Sequence, residues 1–344
     1  MLSEPNRIII TYMTIIPFLT NIYYLNLIHM KIIITYSAII VMLVLSACND
    51  RITDPKIKKN DPDSILVDMV GQENRFEIAT WNIENFPVQG YTTVNVLSQL
   101  IQNLDIDLIA VQEIASIRSF DSLLAKLPGW QGHYSPDDYD NGTYQKTGFI
   151  YKSSFISLSS VGALYINERT GYGDWAFPRP PFTAFVQIKD KTGIVFDFNL
   201  IVLHMKAYDS TEEIAQRKLA CQLLHNYIND EISKDADADF IVLGDWNDQL
   251  EDTKSTNVFL SFLNDSLNYL FLTKNITDQE SYIFEPYQNL IDHILITKDC
   301  RQEYGNGLTS VLYLDEEYKE YSNIISDHRP VCAVFNGIEL DLSF

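Results

Sequence analysis

Several apolar runs in this chain end in, or are interrupted by, a side chain able to do chemistry. Asp327-His328 directly precedes Pro330-Val331-Cys332-Ala333-Val334-Phe335, and Gly244-Asp245-Trp246-Asn247 closes Phe240-Ile241-Val242-Leu243. Asn82 ends Phe76-Glu77-Ile78-Ala79-Thr80-Trp81-Asn82, Glu113 follows Asp107-Leu108-Ile109-Ala110-Val111-Gln112, and His204 follows Leu200-Ile201-Val202-Leu203. Each has an ordinary reading when taken alone. Asn at a strand end is usually a turn residue, Glu113 a solvated loop acid, and His204 a hydrogen-bonded structural histidine. Asp245 and Asn247 are harder to dismiss: two positions apart on extended chain, they point to one side. Gly244 before them permits a tight turn or a close backbone approach. Asp292 interrupts Leu290-Ile291-Asp292-His293-Ile294-Leu295-Ile296, where an unpaired carboxylate is costly. Asp327-His328 supplies a partner for it.

These residue types match the needs of phosphodiester hydrolysis: an activated water, neutralised phosphoryl oxygens and help for the leaving group. A hard divalent cation held by carboxylate and amide oxygens does the neutralising. Glu113 fits as the metal carboxylate and Asn82 as its oxygen neighbour. An imidazole oriented by a carboxylate can take the proton from water, which suits His328 with Asp292. Asp245 and Asn247 would orient the water or the leaving group, and His204 would donate to the oxygen where charge grows.

The elements that must position these groups follow from hydrophobic period. Strands are expected at residues 76–82, 107–111, 149–151, 182–186, 195–203, 240–243, 290–296 and 331–335. Thr92 or Thr93 can cap a helix carrying Val96, Leu97, Leu100, Ile101 and Leu104 on one face. A second helix carries Leu123, Leu124 and Leu127 and stops at Pro128-Gly129. Ser210 with Glu213 makes a capping box for a helix through Leu219, Leu223, Leu224 and Ile228. Strands outnumber helices, and the helices fall between strand groups. Two packed sheets with helices outside fit better than one open parallel sheet.

Trp81-Asn82-Ile83-Glu84-Asn85, Gln112-Glu113, Leu203-His204-Met205-Lys206, Gly244-Asp245-Trp246-Asn247, Ile291-Asp292-His293 and Ser326-Asp327-His328-Arg329-Pro330 occur in an order that resembles the endonuclease/exonuclease/phosphatase superfamily. The resemblance runs from about residue 76 to 336. That superfamily contains the pancreatic deoxyribonuclease type, abasic-site endonucleases, inositol polyphosphate phosphatases and bacterial sphingomyelinases. It implies an α/β (α+β) fold: a four-layer α/β/β/α sandwich of two packed mixed sheets with outer helices. It also implies Mg²⁺ at the strand ends, with Mn²⁺ or Ca²⁺ as alternatives. By that pattern Asn82 and Glu113 would hold the metal, with Asp327 beside it or supporting it. Asp245 and Asn247 would position the nucleophile and leaving oxygen, His204 would stabilise the transition state, and His328 with Asp292 would be the base.

Arg179, in Phe177-Pro178-Arg179-Pro180-Pro181-Phe182, resembles the arginine phosphate contact of the deoxyribonuclease type, although a charge in a Pro-rich loop reads equally well. Lys206 shares the side of His204 and could touch a phosphate or snorkel to solvent. Tyr144 and Trp175 could stack a base. Two departures stand out: Gln145-Lys146 replaces an acidic pair of the deoxyribonucleases, and Ile291-Asp292-His293 replaces the Cys-Asp-Arg of the inositol phosphatases. Asp174-Trp175-Ala176-Phe177-Pro178 is a short candidate for the membrane-inserting hairpin of a sphingomyelinase.

The N-terminus has another character. From Ile8 to Ala47 the only charged residue is Lys31, and the apolar run closes at Leu45-Ser46-Ala47-Cys48. Such a segment is a processing signal rather than a fold element, and it resembles a bacterial lipobox with Cys48 as the lipidated residue. An uncleaved membrane helix is the alternative. The expected organisation is a leader over 1–47, with Met30 a possible true start, a polar tether over 48–73 and a catalytic domain over 74–344. With Cys48 lipidated, at most one disulfide is possible, and Cys221 and Cys332 read as core residues.

The formal net charge is −21. A body this acidic repels polyanions at long range, so a phosphate substrate must be met by a metal and a few local cations. The reading that fits best is a monomeric, Mg²⁺-dependent, extracytoplasmic nuclease of endonuclease type, acting on DNA or RNA and tethered to a bacterial membrane, on its periplasmic or surface face, through Cys48. The alternative is a phosphodiesterase or phosphatase acting on phospholipid head groups or small phosphate esters. A binding lipoprotein on an inactive scaffold is disfavoured, because no proposed catalytic position is missing.

Overall fold

Most interior strands are buried along nearly their whole length, and their side chains point alternately to the two faces, which sorts the chain into layers. The computed structural model describes residues 65–137, 145–166, 176–235 and 238–343, within the unit Ser64–Phe344. In chain order the principal elements are β1 (Phe76–Phe86), α1 (Tyr91–Leu104), β2 (Leu108–Ile114), α2 (Ile117–Leu124), β3 (Trp130–Tyr134), β4 (Lys146–Lys152) and β5 (Ile156–Ala163). They continue with β6 (Phe182–Asp190), β7 (Gly193–His204), α3 (Thr211–Lys234), β8 (Phe240–Asp245), α4 (Leu260–Leu263), β9 (Tyr269–Phe271), β10 (Asp292–Thr297), β11 (Leu308–Val311) and β12 (Val331–Phe335). One six-stranded sheet has the order β11-β12-β1-β2-β4-β3 and the other β5-β6-β7-β8-β10-β9.

The inward set of the first sheet (Phe76, Ile78, Leu108, Ala110, Phe149, Val331, Ala333) packs on that of the second (Val186, Phe198, Leu200, Ile241, Leu243, Ile294). The alternate set, including Ala79, Trp81, Ile109 and Val111, buries α1 and α2. On the second sheet Ile201, Leu203 and Val242 do the same for α3 and α4. The result is the expected α/β/β/α sandwich of two mixed sheets.

Strand direction decides where the polar residues go. β1 and β2 are parallel, as are β7 and β8, and both pairs lie inside their sheets. β12 runs antiparallel to β1, and β10 antiparallel to β8. The C-terminal ends of the parallel pairs therefore meet the N-terminal starts of β10 and β12. Asn82 and Glu113, His204 and Asp245, Asp292 and His328 all arrive at one end of the sandwich. Gly244, at φ 153°, lies where a Cβ would overlap the carbonyl oxygen of Leu203 on β7. Its close approach is what brings Asp245 level with His204.

Some local readings are corrected. Gly90, not Thr92 or Thr93, precedes the first helical turn; the Thr93 hydroxyl takes the Gln89 N–H and donates to the Ile324 carbonyl. The capping box at Ser210 and Glu213 is present. The tether read through residue 73 is bound to the domain from Ile65 onward: Ile65 N–H donates to Gln99, Val70 and Gly71 N–H donate to the Leu104 carbonyl, and Ile65, Val67 and Val70 pack beside α1. Among the described residues Cys221, Cys300 and Cys332 form no disulfide and are buried. The leader, Met30, Cys48, Tyr144 and Trp175 lie outside the described residues. Among the described residues no helix is long and apolar enough to cross a membrane.

Candidate active site

His328 and Asp292 come from different sheets and meet directly, Nδ1 to Oδ2 at 2.8 Å. Two supports hold the imidazole backbone. Ser326 Oγ accepts from His328 N–H at 3.0 Å and donates to the Asn82 carbonyl at 2.6 Å. The Tyr321 hydroxyl donates to the His328 carbonyl and accepts from Trp81 Nε1 at 2.9 Å. Asp292 is fixed through Ser281, whose Oγ accepts from the N–H groups of Ile291 and Asp292, both at 3.1 Å. Neither Ser281 nor Tyr321 was legible as part of the site. Their partners lie 7 to 240 positions away, and no local pattern marks them.

Asp245 sits at the centre. Its Oδ2 lies 3.9 Å from His328 Nε2 and 3.6 Å from His204 Nε2, and it accepts from Asn82 Nδ2 at 3.0 Å. Asn82 Nδ2 also donates to Glu113 Oε1 at 3.2 Å, and Glu113 Oε1 stands 3.7 Å from His204 Nε2. Asn247 donates its N–H to Asp245 Oδ1 at 2.9 Å and its Nδ2 to the Met205 carbonyl at 3.2 Å. Asp327 Oδ1 lies 3.9 Å from His328 Nε2. All eight residues expected to be catalytic or metal-holding are thus brought together. Glu84 joins them unforeseen: its Oε2 accepts the Asp327 N–H at 3.0 Å. Glu84, Asn85, Glu113 and Asn247 hold φ of 34°, 41°, 66° and 53°. Such left-handed non-glycine backbone is characteristic of sites whose surroundings over-determine it.

The two histidines stand in opposite charge states. Burial alone would lower the pKa of His328, but the charge and hydrogen bond of Asp292, then Asp245 and Asp327, raise it to about 10. Burial, with the charges of Arg179 and His328, drives His204 well below the usual histidine range, so it is neutral. Asp245 is raised to about 7 by burial and then by Asp292, and Glu84 to about 7 by burial and then by Asp327. The Nδ1 of His204 and Oδ1 of Asp292 are buried without a hydrogen-bond partner among the described residues.

This concentration of acids fits a hard cation. Five carboxylates converge, and among the described residues only histidines come within ion-pair distance of Glu113, Asp245, Asp292 and Asp327. Asp245, Asp292 and His328 offer ligand atoms within 4.8 Å of one another, but Asp292 Oδ2 and His328 Nδ1 are already bonded to each other. Glu113, Asp327 and Glu84 are the more exposed of these carboxylates, whereas both oxygens of buried Asp245 already accept hydrogen bonds from Asn247 and Asn82. Asn82 differs from expectation: its amide nitrogen faces the carboxylates, while Oδ1 takes the Glu84 N–H at 3.0 Å.

Arg179 reaches the site rim, donating to Gln145 Oε1, while Gln145 Nε2 donates to Asn85 Oδ1 at 2.9 Å. Lys206 Nζ pairs with Glu213 at 3.4 Å and lies 5.2 Å over the Tyr208 ring. Ala176 and Phe177 are buried, Phe177 stacking on Tyr165. That part of the hairpin candidate is core, not a membrane-inserting tip.

Residues 79–328 match the model of the Endonuclease/Exonuclease/phosphatase family. No curated protein sequence gives a significant match. Among solved structures, an endonuclease/exonuclease/phosphatase family protein of Bacteroides thetaiotaomicron is similar at 17% identity and TM-score 0.56, over 78% of this chain and 96% of that one. A mannosyl-6-phosphatase from Bacteroides thetaiotaomicron VPI-5482 is similar at 17% identity and TM-score 0.52, over 75% and 98%. TDP2 of D. rerio, complexed with a single-strand DNA product, is similar at 14% identity and TM-score 0.53, over 76% and 99%.

Proposed function

The chain belongs to the endonuclease/exonuclease/phosphatase family, and on that premise we propose that it is a divalent-metal-dependent phosphodiester hydrolase that cuts DNA or RNA by attack of water. The observation that carries this reading is the meeting of Asn82, Glu113, His204, Asp245, Asp292 and His328 from two sheets at one spot. Mg²⁺ held by Glu113 and the neighbouring acids would polarise a phosphoryl oxygen and offset its charge.

The chain's own groups do the rest. Neutral His204 donates from Nε2 towards a phosphoryl oxygen, where charge develops. Asp245, steadied by Asn82 and the Asn247 N–H, orients the water. His328 exchanges protons through Nε2, the ring nitrogen that faces Asp245 and Asp327 while Nδ1 is fixed by Asp292. Offsetting the surrounding carboxylate charge lowers the pKa of His328 and lets it act as the base.

Nucleic acid is favoured as substrate by Arg179 at the rim and by the likeness to a fold complexed with a DNA product. The second reading, a small phosphate ester, is supported by the net charge of −21 and the likeness to a mannosyl-6-phosphatase. The Leu45-Ser46-Ala47-Cys48 sequence supports a chain held outside the cytoplasm by a lipidated Cys48. The purified chain with Mg²⁺ should degrade plasmid or single-stranded nucleic acid and stop with chelator. No turnover of any DNA or RNA overturns the nuclease reading, and turnover of sugar phosphates alone establishes the second.

A further inference from the structure

Arg217 lies on α3, apart from the residues assigned to the chemistry, and is 1% exposed. Its guanidinium makes four hydrogen bonds. Nη1 donates to the carbonyls of Lys206, at 2.8 Å, and of Tyr208. Nη2 donates to Asp209 Oδ1 at 3.0 Å, and Nε to Asp248 Oδ2 at 2.9 Å. Lys206, Tyr208 and Asp209 belong to the segment that leaves β7 after His204. Asp248 belongs to the segment that leaves β8 after Asp245 and carries Asn247. One buried cation on a helix therefore holds both segments at once.

The same two segments are bonded to each other and to β10. Asn247 Nδ2 donates to the Met205 carbonyl at 3.2 Å, and Met205 N–H to the Asp245 carbonyl at 2.9 Å. His293 Nε2, beside Asp292, donates to the Asp248 carbonyl at 2.9 Å, and Trp246 Nε1 to the His293 carbonyl at 3.1 Å. Each segment also turns through a left-handed non-glycine residue at an Arg217 acceptor. Tyr208 holds φ 73°, and Asn247, directly before Asp248, holds φ 53°. Such backbone persists only where its surroundings over-determine it. Stability is a poor account of this arginine, because a buried ion pair adds little over apolar side chains of the same volume. What a planar guanidinium does supply is fixed geometry among several acceptors.

We infer that Arg217 is a positioning residue for the hydrolysis, setting His204 and Asn247 in place relative to each other by bracing the segments that follow β7 and β8. It is closed off from solvent and acts only through those segments. This rests on the hydrolase reading above.

The test uses the full chain with Mg²⁺ and whichever of single-stranded DNA or a sugar phosphate the wild type turns over, well below the melting temperature. Arg217→Lys keeps the charge, but one ammonium cannot span both segments. It should lower kcat on the order of tenfold or more, since small misplacements of reacting groups are costly, and leave KM near wild type. Lys152 pairs with Asp107 at 3.0 Å at the opposite end of the sandwich, so Lys152→Met should lower the melting temperature and leave kcat unchanged. NMR on the metal-free chain gives a readout independent of turnover: the side-chain signals of His204 and Asn247 should move in Arg217→Lys and stay in Lys152→Met. Should Arg217→Lys not fold, Asp248→Ser severs only the β8 half of the brace and should lower kcat and move the Asn247 signal. An unchanged kcat, a raised KM alone, or unmoved His204 and Asn247 signals overturn the positioning role. Signals that move as expected in a chain that cleaves no phosphate ester keep the brace and remove the hydrolase.

Discussion

His204 and His328 show how little a residue's type says about its role. One imidazole is neutral because it is buried near positive charge; the other is charged because Asp292 touches it at 2.8 Å. Opposed environments of this kind separate hydrogen-bond donors from proton-exchanging groups. His328→Ala should lower kcat/KM by roughly two or more decades; activity within a few-fold of wild type would show that another group moves the proton. Asp292→Asn should shift the His328 imidazole titration to lower pH, read by NMR on the metal-free chain. The reason is that the largest influence raising that pKa is removed. Away from the site, Glu77 N–H donates to Asp107 Oδ2 at 3.0 Å, while Asp107 Oδ1 pairs with Lys152 at 3.0 Å. Burial, then the charge of Asp107, raises Glu77 from 4.5 to about 9. The folded chain keeps that proton where the unfolded chain releases it, so this group's contribution to stability falls as pH rises from about 4.5 to about 9. Glu77→Gln should therefore raise the melting temperature at pH 8 and change it little near pH 4; the reverse order would contradict the assignment.

At the scale of elements, Gly244 is the position where the fold leaves least choice. It combines φ 153° with a Cβ position already filled by Leu203. Gly244→Ala should cost about 1–3 kcal/mol from backbone strain alone, and more from the overlap. Denaturant titration reads it, and an unshifted midpoint would mean that β7 and β8 separate easily. The same pairing explains what could be read from sequence. The interior strands β1, β2, β4, β6, β7, β8, β10 and β12 were all recognisable, because burial on both faces leaves near-continuous apolar runs. The four that were not, β3, β5, β9 and β11, are the four sheet edges. They are short or half-exposed, and Trp130–Tyr134 carries no fully buried residue. The site was legible for a related reason: Asn82, Glu113, Asp245 and Asp292 are polar residues in or beside strands that are otherwise mostly apolar. Glu84, Ser281 and Tyr321 stood in unremarkable surroundings, and only tertiary contacts reveal them.

For the whole molecule, charge and layering set the limits. A chain of net charge −21 repels long polyanions over distances that salt shortens. Cleavage of long nucleic acid should accelerate as monovalent salt rises from low to physiological levels, while a dinucleotide should respond weakly. Equal salt responses would show that long-range repulsion does not limit encounter. The layering carries one more consequence. Asn82, Glu113 and His328 ride on one sheet, and His204, Asp245 and Asp292 on the other, with an apolar interface between them. Neither half can work unless the two line up, and one residue of sliding, about 3.3 Å, is longer than the His328–Asp292 bond itself. Mild denaturant that loosens this interface should silence the enzyme while its circular dichroism still looks native, making turnover a gauge of how firmly the two sheets are seated on each other.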